Sequence, residues 1–283
     1  MRIRRRFTFT EKDKKIIAFL KKQKLEFNLD SGNDIIRYGT GDVFVYEDDE
    51  RFNETAAFFE RHGQPLNLTF AWCEYTEQEI DEAEWLMINA WHNGYPQPSD
   101  NMGYLHTTYE SSKCCNVCYR DCVQKDSFIL KKKPKWGRKN FFELYWVHDE
   151  LFISNRVVSA FENNNVKGIE FYDVLYGLKK REVINDTKQL FIKSRLKPGL
   201  RTPIREDFVC SACGLVNHIL KAGYVCFDKN VFDGIDVDVI KTSERFGADG
   251  KGINYILVTQ RLRKIITDNK LENGIKFTPV QLV

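Results

Sequence analysis

A chain of 283 residues with 42% hydrophobic and 13% aromatic side chains can fill one large core or two ordinary ones, which excludes wholesale disorder. Its 43 basic and 40 acidic side chains leave a formal charge of +3, too small to make the whole surface attractive to a polyanion. No stretch approaches the ~18 uncharged apolar residues of a membrane span, and polar residues follow the basic start Met1 to Arg6 where a secretory signal needs an apolar core. A cytoplasmic protein with no membrane partner is expected.

Residues 11–27 read as an amphipathic helix with Ile16, Ile17 and Leu20 on its apolar stripe and lysines on a solvated face. Thr10 is the predicted N-cap, with Asp13 at the capping-box position. Asn28 to Asn33 reads as a loop, Asp42 to Tyr46 as a strand, Glu50 to His62 as a helix stopped by Gly63, and Leu66 to Trp72 as an alternating strand. This order predicts an N-terminal α/β module, placed at 1–110. The Gly39-Thr-Gly41 turn precedes a strand and lacks a third glycine, so it is no dinucleotide loop. Glu77 to Asn89 reads as a helix, or a helix running into a strand, and Gly94 to Asp100 is proline-rich loop.

Two Cys-x-x-Cys pairs dominate the region 111–283: Cys115 with Cys118, and Cys210 with Cys213. Each spacing puts two sulfurs on one side of a tight knuckle, and two knuckles make a tetrahedral site suited to a structural Zn²⁺. Gly214 follows the second knuckle, where a turn needs positive φ; Tyr119 holds the matching place in the first. In a reducing compartment, paired thiols among the eight cysteines are expected more often as metal ligands or redox groups than as disulfides. Cys114 and Cys122 flank the first knuckle, and Cys118-x-x-x-Cys122 is also a chelating spacing, so either could replace Cys115. The expected ligand set is nevertheless Cys115, Cys118, Cys210 and Cys213. Cys73 and Cys226 lie in apolar runs and read as small buried hydrophobes. His218, on a predicted helix, is the one histidine placed to substitute for a sulfur.

After the first knuckle comes a basic segment, 125–139, containing Lys131, Lys132, Lys133, Lys135, Trp136, Arg138 and Lys139. It admits two readings: a track for a phosphate backbone with Trp136 stacking a base, or a solvated hairpin that Trp136 anchors to the core. The second is preferred, because acidic residues stand nearby.

The second half of the chain repeats. Residues 151–175 align with 256–282: Ile153 to Arg156 matches Val258 to Arg261, Gly168 to Phe171 matches Gly274 to Phe277, and Val174 matches Val280. Each block reads as strand, polar N-cap, helix, glycine turn and strand, and each has a CxxC upstream. The expected fold is α+β: the N-terminal module, then two related strand–helix–strand units at about 115–175 and 210–283, joined by the four-cysteine site. Arg156 and Arg261 fall in the first helical turns, where a cation opposes the helix dipole. Each is expected to pair with a carboxylate or an anion, Asp149 or Glu150 being nearest to Arg156.

None of the histidines His62, His92, His106, His148 and His218 lies in HExxH, and GxSxG and P-loop motifs are absent. His148 and Asp149 are neighbours that point to opposite faces of a strand, not a dyad. A site closed by four thiolates contributes folding free energy and offers no open position for catalysis. A non-enzymatic protein is expected.

The two CxxC pairs, the Cys210 to Gly214 run, the KKxPKWG segment at Lys131 to Gly137 and the Trp-x-x-Asp-Glu-x-Phe-x-Ser run from Trp146 to Ser154 resemble a group of uncharacterised bacterial proteins similar to the double-CXXCG motif family. The resemblance covers residues 75–283, with Tyr119 standing where that pattern has glycine. It implies a zinc-stabilised protein, of the immunity type, that binds and neutralises a toxin partner. The alternative is nucleic-acid binding through the basic segment.

Overall fold

The computed structural model describes residues 1–29, 40–66, 69–120, 122–221, 223–247 and 251–283. It is a mixed α+β structure, mostly sheet, with six α-helices among the described residues. The chain divides into two compact units: 1–79 with 220–224, and 80–219 with 225–283. The boundary expected near residue 110 lies inside the second unit.

The first unit runs β1 (Arg2–Thr10), α1 (Lys14–Lys22), β2 (Phe27–Leu29), β3 (Thr40–Tyr46), α2 (Phe52–Arg61), β4 (Phe70–Glu74). Its antiparallel sheet has the order β2-β3-β1-β4, the arrangement of a split βαβ sandwich. Phe7 and Phe9 of β1 and Val43 and Val45 of β3 meet Ile16, Leu20, Phe52 and Phe59 of the two helices in one apolar core. Helix α1 begins later than expected, because residues 11 and 12 form a turn between β1 and the cap. Asp13, not Thr10, is the cap, its Oδ1 accepting from the amides of Lys15 and Ile16 at 3.1 Å. Gly39 and residues 30–33, 67 and 68 lie outside the described residues.

Helix α3 (Glu77–Glu82) runs into β5 (Trp85–Ala90), the second of the two sequence alternatives for that stretch. The second unit continues through β6 (Pro96–Gln97), α4 (Tyr104–Thr108), β7 (Ile129–Leu130), β8 (Phe141–Leu144), β9 (Val147–Ser154), α5 (Asn155–Asn163), β10 (Ile169–Tyr176) and β11 (Glu182–Ile192). Then follow β12 (Ile204–Val209), β13 (Val216–Leu220), β14 (Val225–Phe227), β15 (Val239–Lys241), β16 (Arg245–Phe246), β17 (Ile256–Thr259), α6 (Gln260–Asp268) and β18 (Ile275–Leu282).

Both aligned blocks fold as strand–helix–strand, β9-α5-β10 and β17-α6-β18, and their sheets have matching neighbours. One reads β6-β7-β10-β11-β9-β8 and the other β14-β18-β5-β17-β15. In each, the strand after the helix has a parallel neighbour, β7 or β14, and the strand before it pairs antiparallel with β8 or β15. The central strand differs in origin: β11 follows its block, whereas β5 comes from far upstream.

The likeness extends to single hydrogen bonds. The Ser154 amide donates to Asn140 O and the Thr259 amide to Asp238 O, both at 3.0 Å. The hydroxyls of Ser154 and Thr259 donate to Asn140 Oδ1 and Asp238 Oδ1, both at 3.2 Å. The amide of Asn140 reaches Asn273 O in the other block (3.0 Å), and that of Asp238 reaches Lys167 O (3.1 Å). Gly168 (φ +89°) and Gly274 (φ +98°) turn each chain back into its sheet, and a Cβ there would meet Val239 O at 2.8 Å and Phe141 O at 3.0 Å. Only glycine fits both the positive φ and the close backbone approach. Val157 and Phe161 of α5 and Leu262 and Ile266 of α6 enter one shared core with Leu151, Ile153, Ile256 and Val258. Fully burying such a side chain contributes about 1.5–3 kcal/mol.

Candidate metal centre

The two knuckles close in the same way. In the first, the Tyr119 amide donates to Cys115 O (2.8 Å) and the Cys115 amide to Arg120 O (3.1 Å). In the second, the Gly214 amide donates to Cys210 O (2.9 Å) and the Cys210 amide to Leu215 O (2.9 Å). Tyr119 adopts φ +53° and Gly214 φ +72°, so the tyrosine occupies the left-handed position that glycine takes in its counterpart. A non-glycine residue there costs roughly 1–2 kcal/mol, and Tyr119 regains contact by packing its ring on the cluster around Tyr104 and Phe142. Strands β12 and β13 frame the second knuckle; an antiparallel bridge between Tyr109 and Gln124 frames the first.

The four sulfurs converge, all lying within 4.8 Å of one another. Cys115 Sγ is 3.8 Å from Cys210 Sγ, and Cys118 Sγ is 3.6 Å from Cys213 Sγ. A tetrahedron with metal–sulfur bonds of about 2.3 Å has edges of about 3.8 Å, so the spacing suits a single metal ion. The knuckle amides favour ionised sulfur. Those of Cys118 and Val117 hold the Cys115 thiol below its ordinary range, and those of Cys213 and Ala212 draw Cys210 down to about 6. Burial works the other way on Cys118, pushing it up to about 12. Four thiolates around a dication leave two negative charges, and a buried cation stands close. Arg120 is 2% exposed, its Nε and Nη1 have no hydrogen-bond partner among the described residues, and it lines a 240 Å³ cavity with Cys118 and Cys210.

The flanking cysteines depart from expectation. Cys114 and Cys122 are joined as a disulfide, not free thiols, and neither belongs to the sulfur cluster. The spacing of eight residues folds back because the knuckle between them reverses the chain. Cys73 and Cys226 are buried, at 7% and 6% exposure. His218 lies on strand β13, not on a helix, and its Nδ1 is 2.7 Å from Asp207 Oδ1, outside the cluster.

In the basic segment, Lys131, Lys132, Lys133 and Lys135 line a 520 Å³ cleft with Trp91 and Tyr95. Trp136 packs on Phe142 with ring centroids 5.1 Å apart, and its Nε1 donates to Thr187 Oγ1 at 3.3 Å. Lys139 lies 3.2 Å over the Trp91 ring, and Arg138 is exposed. The tryptophan therefore serves as an anchor and not as a free stacking platform.

Arg261 Nη1 pairs with Asp238 Oδ2 at 2.6 Å. Arg156 is exposed, and its expected partners are engaged elsewhere: Glu150 with Lys241 at 2.6 Å and Asp149 with Lys251 at 3.6 Å. The position equivalent to Asp238 is the neutral Asn140, which explains the difference between the two arginines. Asp149 is buried, and burial alone would raise its pKa. The positive charges of Lys251, Lys241 and Arg245 outweigh that and hold it at about 2. Neither this ionic cluster nor its long-range pairing was legible in the sequence.

No helix among the described residues is long and apolar enough to cross a membrane. No known protein family and no curated protein matches the chain.

Proposed function

We propose that this chain is a zinc-stabilised, non-enzymatic binding protein whose partner is a protein, of the toxin class that the motif resemblance implies. In this reading its two related units arose by duplication, each contributing one knuckle to a Zn²⁺ bound by Cys115, Cys118, Cys210 and Cys213. The observation that carries it is the sulfur geometry: edges of 3.6 and 3.8 Å match a zinc tetrahedron whose four positions the protein itself fills. The paired hydrogen bonds and reciprocal glycine contacts of the two blocks support the duplication.

Support for a protein partner comes from the outer face of the first unit's sheet. Phe70 is 67% exposed and Trp72 42%, with the Trp72 ring 5.7 Å from Phe44 and 6.4 Å from Phe70. The Arg4 guanidinium lies 4.6 Å over Phe44. Tryptophan and arginine are the residue types that concentrate binding energy at protein interfaces. Arg2, Arg4 and Arg6 on this face are already paired with Asp48, Glu74 and Asp42, which favours a protein over a polyanion.

Elemental analysis of protein purified without chelator should return one zinc per chain. Co-expression with the toxin product of a neighbouring gene should restore growth. Phe70→Ala with Trp72→Ala should abolish that protection with zinc content unchanged. Failure to bind or protect against any neighbouring gene product overturns the toxin reading. Steeply salt-dependent binding to single-stranded nucleic acid, lost on Lys131→Glu, Lys132→Glu and Lys133→Glu together, would instead favour the nucleic-acid alternative.

A further inference from the structure

Two histidines that enter no sequence motif meet a buried carboxylate at the β8–β9 hairpin. Backbone pairing puts them there. His92, just past β5, forms a parallel bridge with Glu143 of β8. The Asn93 amide donates to Glu143 O at 2.8 Å, and the Glu143 amide to Trp91 O at 2.9 Å. His148 arrives from the paired strand β9, where the hairpin is irregular between Phe142 and Leu144.

The Glu143 side chain is only 4% exposed, and its Oε1 accepts from the Ala90 amide at 2.8 Å. That bond aims Oε2 at the two rings: it lies 3.5 Å from His92 Nε2 and 3.5 Å from His148 Nδ1. These separations exceed the roughly 2.7–3.2 Å of a good N–H···O hydrogen bond. They fit the edge, about 3.3 Å, of a tetrahedron whose metal–nitrogen and metal–oxygen bonds are near 2.0–2.1 Å. The two imidazole rings stand 4.7 Å apart at 72°, and one donor atom from each of the three residues lies within 4.8 Å of the others. A buried carboxylate is costly unless a positive partner compensates it, and a cation held jointly with the two imidazoles would do so.

We propose that His92, Glu143 and His148 form a second metal site, for a divalent transition ion of the zinc class, with a position open to water or an exogenous ligand. The two histidine side chains are 38% and 34% exposed, so the site is open to solvent on the histidine side. The donor set is two nitrogens and one oxygen, in contrast to the four sulfurs of the knuckles, so the two sites differ in softness and in closure. The closed site holds its ion; the open one exchanges it.

The test uses the full chain with the cysteine site already filled by zinc, titrated with Co²⁺. A second equivalent should bind and give visible ligand-field absorption without the near-ultraviolet thiolate-to-cobalt band. Mild chelation should remove it while the zinc stays. His92→Ala and His148→Ala, both at partly exposed positions, should each weaken cobalt binding at least tenfold and leave the zinc in place. Glu143→Gln should abolish it; should that variant not fold, the two histidine variants decide. No second equivalent in the wild-type chain at a hundred micromolar Co²⁺ overturns the proposal. So does binding that persists in the His92→Ala/His148→Ala double variant, or cobalt that shows the thiolate band. The zinc content of the cysteine site is read separately, so failure here leaves the four-sulfur reading standing.

Discussion

The block built on β9, α5 and β10 and the block built on β17, α6 and β18 share backbone hydrogen bonds almost atom for atom, yet few side chains are the same. Ser154 and Thr259 stand at the same cap, but only Thr259 uses its hydroxyl to accept from an amide of the first helical turn, that of Leu262, at 3.2 Å. Arg156 and Arg261 hold the same place, and only Arg261 finds a carboxylate, because Asp238 in one block is Asn140 in the other. At the knuckles, Tyr119 does with a left-handed backbone what Gly214 does without strain. The comparison teaches that backbone geometry is held by main-chain partners and close glycine contacts, while cap chemistry and ion pairs are free to diverge around it.

The largest effect is expected at the sulfurs. Cys210→Ser should lose the metal and cost about 3 kcal/mol or more, because a structural ion's binding energy is folding energy. Elemental analysis with thermal unfolding checks this, and Cys226→Ser should retain the full metal content.

The reciprocal glycines come next. Gly168→Ala should cost about 3 kcal/mol, from positive φ together with a methyl forced against Val237 Cβ and Val239 O, both at 2.8 Å. Gly274→Ala should cost less, about 2 kcal/mol, since its nearest contacts are at 3.0 Å. Denaturant unfolding that ranks the pair the other way would show that the closeness of these contacts does not set the cost.

Acid should sharpen the asymmetry of the buried charges. Asp149 titrates at about 2 in the folded chain, below its ordinary 3.8. Its ionised form therefore stabilises the fold above pH 3.8, and that contribution, on the order of 2 kcal/mol, fades as pH falls toward 2. Asp149→Asn should flatten this segment of a stability-versus-pH curve; an unchanged slope would remove Asp149 as its source.

The smallest effect separates the two arginines. Arg261→Ala leaves Asp238, whose side chain is 7% exposed, without its cation and should cost about 1 kcal/mol. Arg156→Ala should stay within about 0.5 kcal/mol in the same urea titration.

Much of the fold was legible because its signals are local. Both CxxC knuckles, the polar caps Ser154 and Thr259, and the glycines after each helix lie within a few residues of the turns they make. Matching residues at these turns, with a one-residue gap, aligned the two blocks. The first strand was missed for an equally physical reason. Its Arg2, Arg4 and Arg6 look like a solvated tail, and the inward Arg5, 7% exposed and paired with Glu47 at 2.6 Å, breaks the apolar alternation that marks a strand.

Each knuckle and each strand–helix–strand block was thus written in the sequence, since residues a turn or two apart specify it; the meeting of the two knuckles, 95 residues apart, was expected from the chemistry of four thiolates and not from spacing. Tertiary structure alone decided that β5 completes the second block's sheet, that Cys114 bonds Cys122, that Lys241 and Lys251 neutralise Glu150 and Asp149, and that His92 and His148 face Glu143. Those contacts join segments tens of residues apart or depend on how a knuckle turns back. Strand register and shared burial bring such side chains together, and neither is written in the spacing of the residues themselves.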